Sequence, residues 1–251
     1  MNYRARSLVL LTLVCLLQNC KRPIPDTVVI ISANAEWSAL KEVLPSDEYD
    51  IQQSPYGEYF VANSNLLPDL ESPVLFLHGV WGKVDAAASA QWAISKFQPK
   101  RIINLGTAGG FEGRIKENEV VFASKTIIYD IIERMGSGSE AIQDYATEIN
   151  SEVPPELRGL VVPCTLISAD QDIDPAAIKE LTGKYDAVAA DWESASIARV
   201  AQKNGVQVLI LREISDVVSA SGSPTYGDLE HFKEKTRSVM RNLLDLLQMI
   251  Q

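Results

Sequence analysis

Short apolar, β-branched runs alternate with amphipathic helical patterns along most of this 251-residue chain. Predicted strands lie at residues 28–32, 74–79, 101–106, 119–132, 160–168, 187–190 and 206–215, and predicted helices lie near 35–44, 84–97, 175–182, 193–204 and 228–250. Strands that alternate with helices form mainly parallel sheets with helices on both faces. The sequence therefore predicts one α/β domain over residues 27–251, with a twisted, mostly parallel or mixed central sheet flanked by helices. Residues 136–156 interrupt the alternation, and we expect a flap there.

The first twenty residues differ in composition from this domain. Arg4 and Arg6 precede an apolar run over residues 8–17, and polar residues then lead to Cys20. This order is typical of a secretory signal peptide, and the run is shorter than the roughly 20 apolar residues that a membrane-spanning helix needs. We expect a signal peptide over residues 1–20 and a short linker over residues 21–26.

The end of this segment, LQNC, resembles a relaxed bacterial lipobox, although Asn19 stands where such boxes usually have Gly or Ala. We therefore expect lipidation of Cys20, which would hold the protein to a membrane in the cell envelope of a bacterium. A periplasmic or secreted protein without a lipid, an uncleaved anchor and a cytoplasmic protein are the alternatives.

Charge and cysteine content exclude several classes of partner. The formal net charge is -10, and no cluster of Lys and Arg offers a face for phosphates, so we expect no nucleic acid. Beyond the first twenty residues only Cys164 remains, and the two histidines, His78 and His231, lie far apart in the sequence. This pattern predicts no disulfide, no metal and no cofactor, and it favours a small-molecule ligand.

Unusual residues follow the predicted strands: SANAE, HGVWGK, GTAGG, SADQD, DWE and SD. In open α/β sheets, ligands bind outside the carboxyl ends of the strands, so Glu193 and Asp216 should share one rim. Each motif alone also has a simpler interpretation. GTAGG could be only a turn, Glu193 an acid favoured by a helix dipole, and Asp216 a loop cap.

Several segments agree in order and spacing with one known family. They are VVIISANAEWSAL, GVWGKVDAAASAQWAISKFQPKRIINLGTAGGF, NEVVFASKTIIYD and AVAADWESASIARVAQKNGVQVLILREISDV. Over about residues 28–247 they resemble the nucleoside phosphorylase/nucleosidase superfamily, specifically its methylthioadenosine/S-adenosylhomocysteine nucleosidase branch. The resemblance implies hydrolysis of the N-glycosidic bond of a purine nucleoside, to free base and a ribose product, as in methionine salvage. It also implies a homodimer.

The resemblance assigns three catalytic acids. Glu193 matches the ribose-binding Glu, whose carboxylate would stabilise a ribosyl cation. Asp216 matches the general acid that protonates the leaving base. The family's water-activating Glu falls on Trp37 in an ungapped alignment; Glu36 lies one residue earlier, and we assign the role to Glu36.

The remaining pocket residues follow from the same resemblance. They are Thr107, Ala108 and Gly109 beside the sugar and base, Ile173 at the base, and Trp192, Trp81 and Tyr226. Asp172 stands where the nucleosidases often carry a base-stacking Phe, and Trp192 where they carry Met, so the identity of the base stays open. A phosphorylase, with Lys83 and Arg212 around phosphate, is one alternative. The other is a lipid-anchored nucleoside-binding protein that has lost catalysis, which Trp37 and Asp172 would favour.

Overall fold

The computed structural model describes residues 25–45 and 49–250. The expected signal peptide, the lipidation site Cys20 and most of the linker lie outside these residues. The described strands are β1 (Thr27–Ile31), β2 (Gln52–Gln53), β3 (Glu58–Ala62), β4 (Val74–His78), β5 (Arg101–Phe111), β6 (Val120–Ile128), β7 (Ala146–Glu148), β8 (Val161–Ser168), β9 (Ala187–Asp191) and β10 (Gln207–Val218). The described α-helices are α1 (Asn34–Val43), α2 (Lys83–Phe97), α3 (Gly138–Asp144), α4 (Ile178–Tyr185), α5 (Ser194–Lys203) and α6 (Leu229–Met249).

All the described strands belong to one mixed sheet with the order β10-β6-β8-β9-β5-β1-β4-β3-β2, in which β7 pairs with β6. The long strand β5 also pairs with β10 along its whole length, in parallel. Strands β5, β9, β8, β6 and β10 therefore close into a ring, and β1, β4, β3 and β2 extend from it as an open sheet. Parallel pairs join β1 to β4 and β5, and β8 to β6 and β9.

Strand β1 explains how the helices are placed. All five of its residues are buried, as expected for a strand covered on both faces. Because side chains alternate along a strand, Val29 and Ile31 pack in one core with helices α1 and α6. Val28 and Ile30 pack in the other core with α2 and α5. The predicted α/β fold with a mixed, helix-flanked sheet is confirmed.

The largest local difference from the expectation concerns GTAGG, residues 106–110, which lies inside β5 instead of in a turn after a strand. Gly106 pairs with Arg212 of β10. A Cβ at Gly106 would lie 2.6 Å from Glu36 Oε1, so the glycine lets buried charged side chains pack directly on the backbone. Asp216 likewise lies inside β10, not at its end, next to a bulge between Ile214 and Asp216.

Other differences are smaller. The predictions missed β2 and β3, and the stretch expected to be a flap, residues 136–156, contains helix α3 and strand β7. Helix α4 begins at Ile178 rather than at 175, because Pro175–Ala177 form a separate 3-10 turn. Among the described residues no helix is long and apolar enough to cross a membrane.

Candidate active site

One cavity of about 950 Å³ opens at the carboxyl ends of β5, β9 and β10, and α1 and the first half of α6 close its sides. The side chains predicted to act in catalysis and substrate binding all line it: Glu36, Trp81, Thr107, Ala108, Gly109, Ile173, Trp192, Glu193, Asp216 and Tyr226. The structure therefore brings the whole predicted set together in one place. The individual roles of these residues stay predictions.

Arg212 organises the buried end of the cavity. Its side chain is 1% exposed and contacts three carboxylates, with Nε 3.0 Å from Asp191 Oδ2, Nη1 3.4 Å from Glu36 Oε1 and Nη2 3.6 Å from Glu193 Oε2. Burial alone would lower the pKa of Arg212, but the charges of these three acids outweigh burial and raise it. The guanidinium is a permanent cation that holds the acids in one cluster.

Glu36 lies in the first turn of α1 and points into this cluster. Its Oε1 accepts hydrogen bonds from the backbone N–H of Thr107 (2.6 Å) and from Thr107 Oγ1 (2.8 Å). Its Oε2 accepts one from the backbone N–H of Ala33 at 3.2 Å. The carboxylate is thus fixed between α1 and β5, at the wall of the cavity.

The neighbouring Trp37 points the other way. Its indole stacks on His78, with ring centroids 5.3 Å apart and an interplanar angle of 8°, and its Nε1 donates a hydrogen bond to Glu58 Oε2 at 2.8 Å. Successive residues of a helix differ by about 100° in direction, so only one of Glu36 and Trp37 can face the cavity. The geometry places Glu36 there.

Glu193 precedes α5 and is 3% exposed. Its side chain makes no capping hydrogen bond to α5; instead Oε1 accepts from the backbone N–H of Gly82 at 3.1 Å. Burial raises the pKa of Glu193 to about 8, the charges of Asp191 and Glu36 act in the same direction, and Arg212 only partly opposes them. Glu193 is therefore a buried acid with a perturbed pKa, a property that often marks functional sites.

Asp191, Arg212 and Asn104 form a supporting network; Asp191 and Asn104 were absent from the predicted site, and Arg212 was considered there only as a phosphate-binding residue. Asp191 accepts hydrogen bonds from Ser168 Oγ and from the backbone N–H and the Oγ of Ser194. Asn104 Oδ1 accepts from Arg212 Nη2 at 2.9 Å and lies 2.9 Å from Ser194 Oγ. One signal could have indicated this network: polar residues, Asn104 and Arg212, stand within the apolar runs RIINLG and VLILREIS.

Asp216 lies at the other side of the cavity floor. Its Oδ1 accepts a hydrogen bond from Ser215 Oγ at 2.7 Å, and its Oδ2 accepts one from Ser223 Oγ. The bulge beside it changes the local direction of side chains, as bulges next to active sites commonly do. Asp216 is a buried acid whose partners are hydroxyl groups, which can rotate to donate or to accept.

Aromatic residues complete the walls. Tyr226 Oη donates a hydrogen bond to the carbonyl of Ile173 at 2.8 Å. Burial, followed by the charges of Asp172 and Asp216, raises the pKa of Tyr226, so this phenol is neutral. Trp81, which is 56% exposed, packs against Trp192 with centroids 4.7 Å apart. The two indoles form the outer wall next to Glu193.

The two cations considered for phosphate binding are both engaged by acids. Arg212 is shared by three carboxylates, and Lys83 Nζ contacts Asp130 and lies 3.7 Å from Asp170 Oδ2. Neither residue lines the cavity. The floor of the cavity thus presents carboxylates, which suit a site where positive charge develops. Among the described residues, no group of three or more His, Cys, Asp or Glu side chains could hold a metal ion.

Known proteins that are similar to this chain belong to one superfamily. The sequence model of the phosphorylase superfamily matches residues 27–250. A 5'-methylthioadenosine/S-adenosylhomocysteine nucleosidase of Maridesulfovibrio salexigens is 30% identical over 192 residues, which cover 69% of this chain and 80% of that protein. The same enzyme of a Marinomonas species is 24% identical over 182 residues, 66% of this chain and 78% of that protein.

Solved structures show the same fold. The 5'-methylthioadenosine/S-adenosylhomocysteine nucleosidase of Campylobacter jejuni superposes with a TM-score of 0.69 at 18% identity, covering 88% of this chain and 98% of that one. The futalosine hydrolase of Helicobacter pylori superposes with a TM-score of 0.73 at 16% identity, covering 90% of this chain and 97% of that one. At these identities the likeness concerns the fold.

Proposed function

This chain belongs to the phosphorylase superfamily, in its methylthioadenosine/S-adenosylhomocysteine nucleosidase branch, and we propose that its cavity binds a purine nucleoside and hydrolyses the N-glycosidic bond. The products are the free base and a ribose that carries the original 5' substituent. The enzyme is a nucleosidase, with water as the nucleophile.

One observation carries this proposal: three buried acids, Glu36, Glu193 and Asp216, line a single cavity. Among the described residues, every buried cation next to this cavity is already paired with acids. Cleavage of a nucleoside passes through a ribosyl cation, which fixed carboxylates stabilise. Phosphate would need cations or an anion-binding set of backbone amides. The acidic floor therefore favours water over phosphate.

The bond between C1' of ribose and the ring nitrogen of the base breaks, and its electron pair leaves with the base. Asp216 donates a proton to the base, and Glu193 contacts the ribose hydroxyls while positive charge develops on the sugar. A water molecule attacks C1', and Glu36 accepts its proton. Glu36 lies between Thr107 and Arg212, which hold its carboxylate in place for this transfer.

The proposal is tested with purified protein and a panel of purine nucleosides, with and without phosphate, by chromatography of the released base and assay of the sugar. Hydrolysis predicts equimolar free base and free reducing sugar at a rate that does not depend on phosphate. Release of base that requires phosphate, with a sugar phosphate as product, would show a phosphorylase. Binding of nucleosides without any release would show a binding protein.

We also propose that the protein is exported and lipidated at Cys20, in the envelope of a bacterium. The support is the order of Arg4, Arg6, the apolar run and LQNC. Replacement of Cys20 by Ala should abolish labelling with a radioactive fatty acid and move the protein from the membrane fraction to the soluble fraction. Unchanged labelling and fractionation would contradict the lipobox interpretation.

A homodimer is proposed from the family resemblance. Two exposed apolar side chains close to the cavity, Trp81 and Val84, are 56% and 78% exposed and would gain from burial in an interface. Sedimentation at micromolar concentration should give twice the mass of the chain. A single species of monomer mass would contradict the dimer.

A further inference from the structure

The segment that follows β10, residues 219–228, turns back and meets Asp216 again. Ser219 and Gly222 exchange two backbone hydrogen bonds, each of 3.0 Å, and close a tight turn. Gly222 has a φ of +103°, a conformation that residues with a side chain rarely adopt. The turn brings Ser223, seven residues after Asp216, close enough for its hydroxyl to contact the carboxyl group.

The carboxyl group of Asp216 is therefore held at both oxygens. Ser215 Oγ donates to Oδ1 at 2.7 Å, and Ser223 Oγ contacts Oδ2. The terminal torsion of an Asp side chain has a broad minimum, so a carboxyl group held at one oxygen can still rotate. Because the second contact comes from a different segment, it fixes the plane of the group. The orientation of Asp216 towards the cavity thus depends on Ser223.

The hydroxyl of Ser223 makes two further contacts, both with Thr225. Ser223 Oγ accepts a hydrogen bond from the backbone N–H of Thr225 at 3.1 Å. It also lies 2.9 Å from Thr225 Oγ1, where either hydroxyl can be the donor. A hydroxyl has one hydrogen and two lone pairs. Since the N–H of Thr225 occupies one lone pair, the hydrogen and the other lone pair remain for Asp216 and for Thr225 Oγ1.

This arrangement allows two directions of hydrogen bonding. A protonated Asp216 can donate to Ser223 Oγ, which then donates to Thr225 Oγ1. An ionised Asp216 instead accepts from Ser223, and Ser223 accepts from Thr225. The hydroxyls only turn, and no heavy atom has to move. Glu36 differs, because it accepts from the backbone N–H of Thr107, a donor that cannot reverse.

We propose that the hydroxyl chain Thr225–Ser223 stabilises the negative charge that develops on Asp216 as it protonates the base, and that Ser223 is a positioning residue for this acid. The inference rests on the proposed function of Asp216. In the proton transfer the O–H bond of Asp216 breaks, its electron pair stays on the carboxylate, and an N–H bond forms on the base. Ser223 then donates to the new carboxylate, and this bond strengthens as charge develops.

The same chain does not force Asp216 to lose its proton before a substrate binds. A fixed donor favours only the charged form of an acid, whereas Ser223 can also accept from the protonated form. Ser223 does not line the cavity, although Thr225 and Asp216 do. Ser223 therefore acts through Asp216 and not on the substrate.

The first test measures single-turnover release of the base from the nucleoside that the native protein cleaves fastest. Ser223→Ala should slow this step about tenfold, the effect of losing one hydrogen bond to a group that becomes charged. Thr225→Val keeps the shape and the backbone N–H of Thr225 but lacks the hydroxyl, so it should slow the step less, by about threefold. Ser223→Thr keeps a hydroxyl and should restore most of the rate.

Ser221→Ala is the matched control. Ser221 is an exposed serine of the same segment, its hydroxyl lies 2.7 Å from Ser219 Oγ, and it does not line the cavity. This variant should release the base at the native rate.

The second test needs no cleavage. It compares two C-nucleosides, in which a carbon–carbon bond joins base and sugar: a 9-deazapurine, whose five-membered ring carries an N–H as the base does after proton transfer, and the thieno analogue, in which sulfur replaces that N–H. The N–H needs an ionised acceptor, so the native protein should bind the 9-deazapurine more tightly. Ser223→Ala should reduce the ratio of the two Kd values about tenfold. A purely structural role of Ser223 would lower Tm without changing this ratio.

Native rates and a native Kd ratio in Ser223→Ala, or losses that Ser221→Ala shares, would overturn the inference while leaving the nucleosidase proposal intact. If Ser223→Ala does not fold, a native rate and ratio in Thr225→Val would overturn it. A protein that binds the two analogues but cleaves no nucleoside would contradict the proposed function, and the Kd ratio would still decide the inference.

Discussion

The two ends of the cavity contain similar side chains in opposite physical settings. At the strand end, Arg212 and its three acidic partners are 1% to 4% exposed and are held by hydrogen bonds from Thr107 of β5, Ser168 of β8 and Ser194 of α5. At the helix end, Arg237 and Glu42 form a single contact with side chains that are 46% and 51% exposed. Water screens the second pair but not the first.

This difference indicates what each end can do. Buried charges are poorly screened and are held in place by their partners, so they raise the pKa values of Glu193 and Arg212 and can stabilise a transition state. Exposed charges on helices are screened by water and can exchange their partners at little cost, so they contribute little to stability. Variants at the two ends should therefore differ in the size and kind of their effects.

The largest effect is expected at Asp216. Asn keeps the shape of Asp and can donate a hydrogen bond, but it cannot give up a proton. Loss of a positioned general acid typically costs about 10²- to 10⁴-fold in rate, so Asp216→Asn should slow single-turnover release of the base by that order while a non-hydrolysable nucleoside still binds. Asp245→Asn, on an exposed position of α6, is the control; rates for Asp216→Asn that match it would show that Asp216 is structural.

The second effect concerns stability. Arg212→Met removes the only cation that contacts Glu36, Asp191 and Glu193 among the described residues. Breaking a buried ion pair from one side typically costs about 3 to 5 kcal/mol, so denaturant unfolding should show a loss of that order at neutral pH. Arg241→Met, at an exposed position of α6, should change the free energy of unfolding little. If Arg212→Met lowered the free energy of unfolding no more than Arg241→Met does, water would reach the buried cluster and screen its charges.

The sequence predicted the fold better than it predicted the residues of the buried cluster around Arg212. Alternation of strands and helices, and acids next to strand ends, indicated the α/β class and the positions of Glu193 and Asp216. The contacts of Arg212 depend on the register of β5 against β10, where Arg212 lies opposite Gly106. Register is set by pairings between distant segments, which a single sequence does not reveal. For this reason GTAGG was expected after a strand, and Asp191 and Asn104 were left out of the site.

The choice between Glu36 and Trp37 also depends on contacts between distant segments, which a single sequence does not reveal. An acid at the start of α1 could be recognised from the sequence, but the rotation of α1 about its axis, which decides whether Glu36 or Trp37 faces the cavity, could not. That rotation follows from the packing of Trp37 on His78 and its hydrogen bond to Glu58. Both partners lie outside the motif in which Glu36 and Trp37 occur.

A third, smaller effect is a shift in pH dependence. The groups facing Glu193 are Asp191 of β9, Glu36 of α1, Arg212 of β10 and the backbone N–H of Gly82. Because the charge of Asp191 raises the pKa of Glu193, Asp191→Asn should move the limb of the pH–rate profile that reports Glu193 from about 8 to lower pH. This direction holds whichever form of Glu193 is active. A limb that stays in place, as expected for Asp245→Asn, would contradict the coupling.

The smallest expected effects are changes in stability when one acid at each end is replaced by the same substitution, Glu→Gln. The pKa of Glu193 is about 8 in the folded protein and near the ordinary 4.5 in the unfolded chain. The folded state thus holds a proton that the unfolded state has lost, and its stability falls as pH rises from about 4.5 through about 8. Gln cannot ionise and lacks this loss.

Glu193→Gln should therefore lose activity, yet its Tm relative to the native protein should rise between pH 5 and pH 9. Glu42→Gln breaks only the screened contact with Arg237, so its Tm should follow that of the native protein at both pH values. Thermal unfolding of the three proteins at pH 5 and pH 9 measures both differences. If Glu193→Gln and Glu42→Gln gave the same pH dependence, the acids at the two ends would have the same environment, and the contrast between a buried end and an exposed end would be wrong.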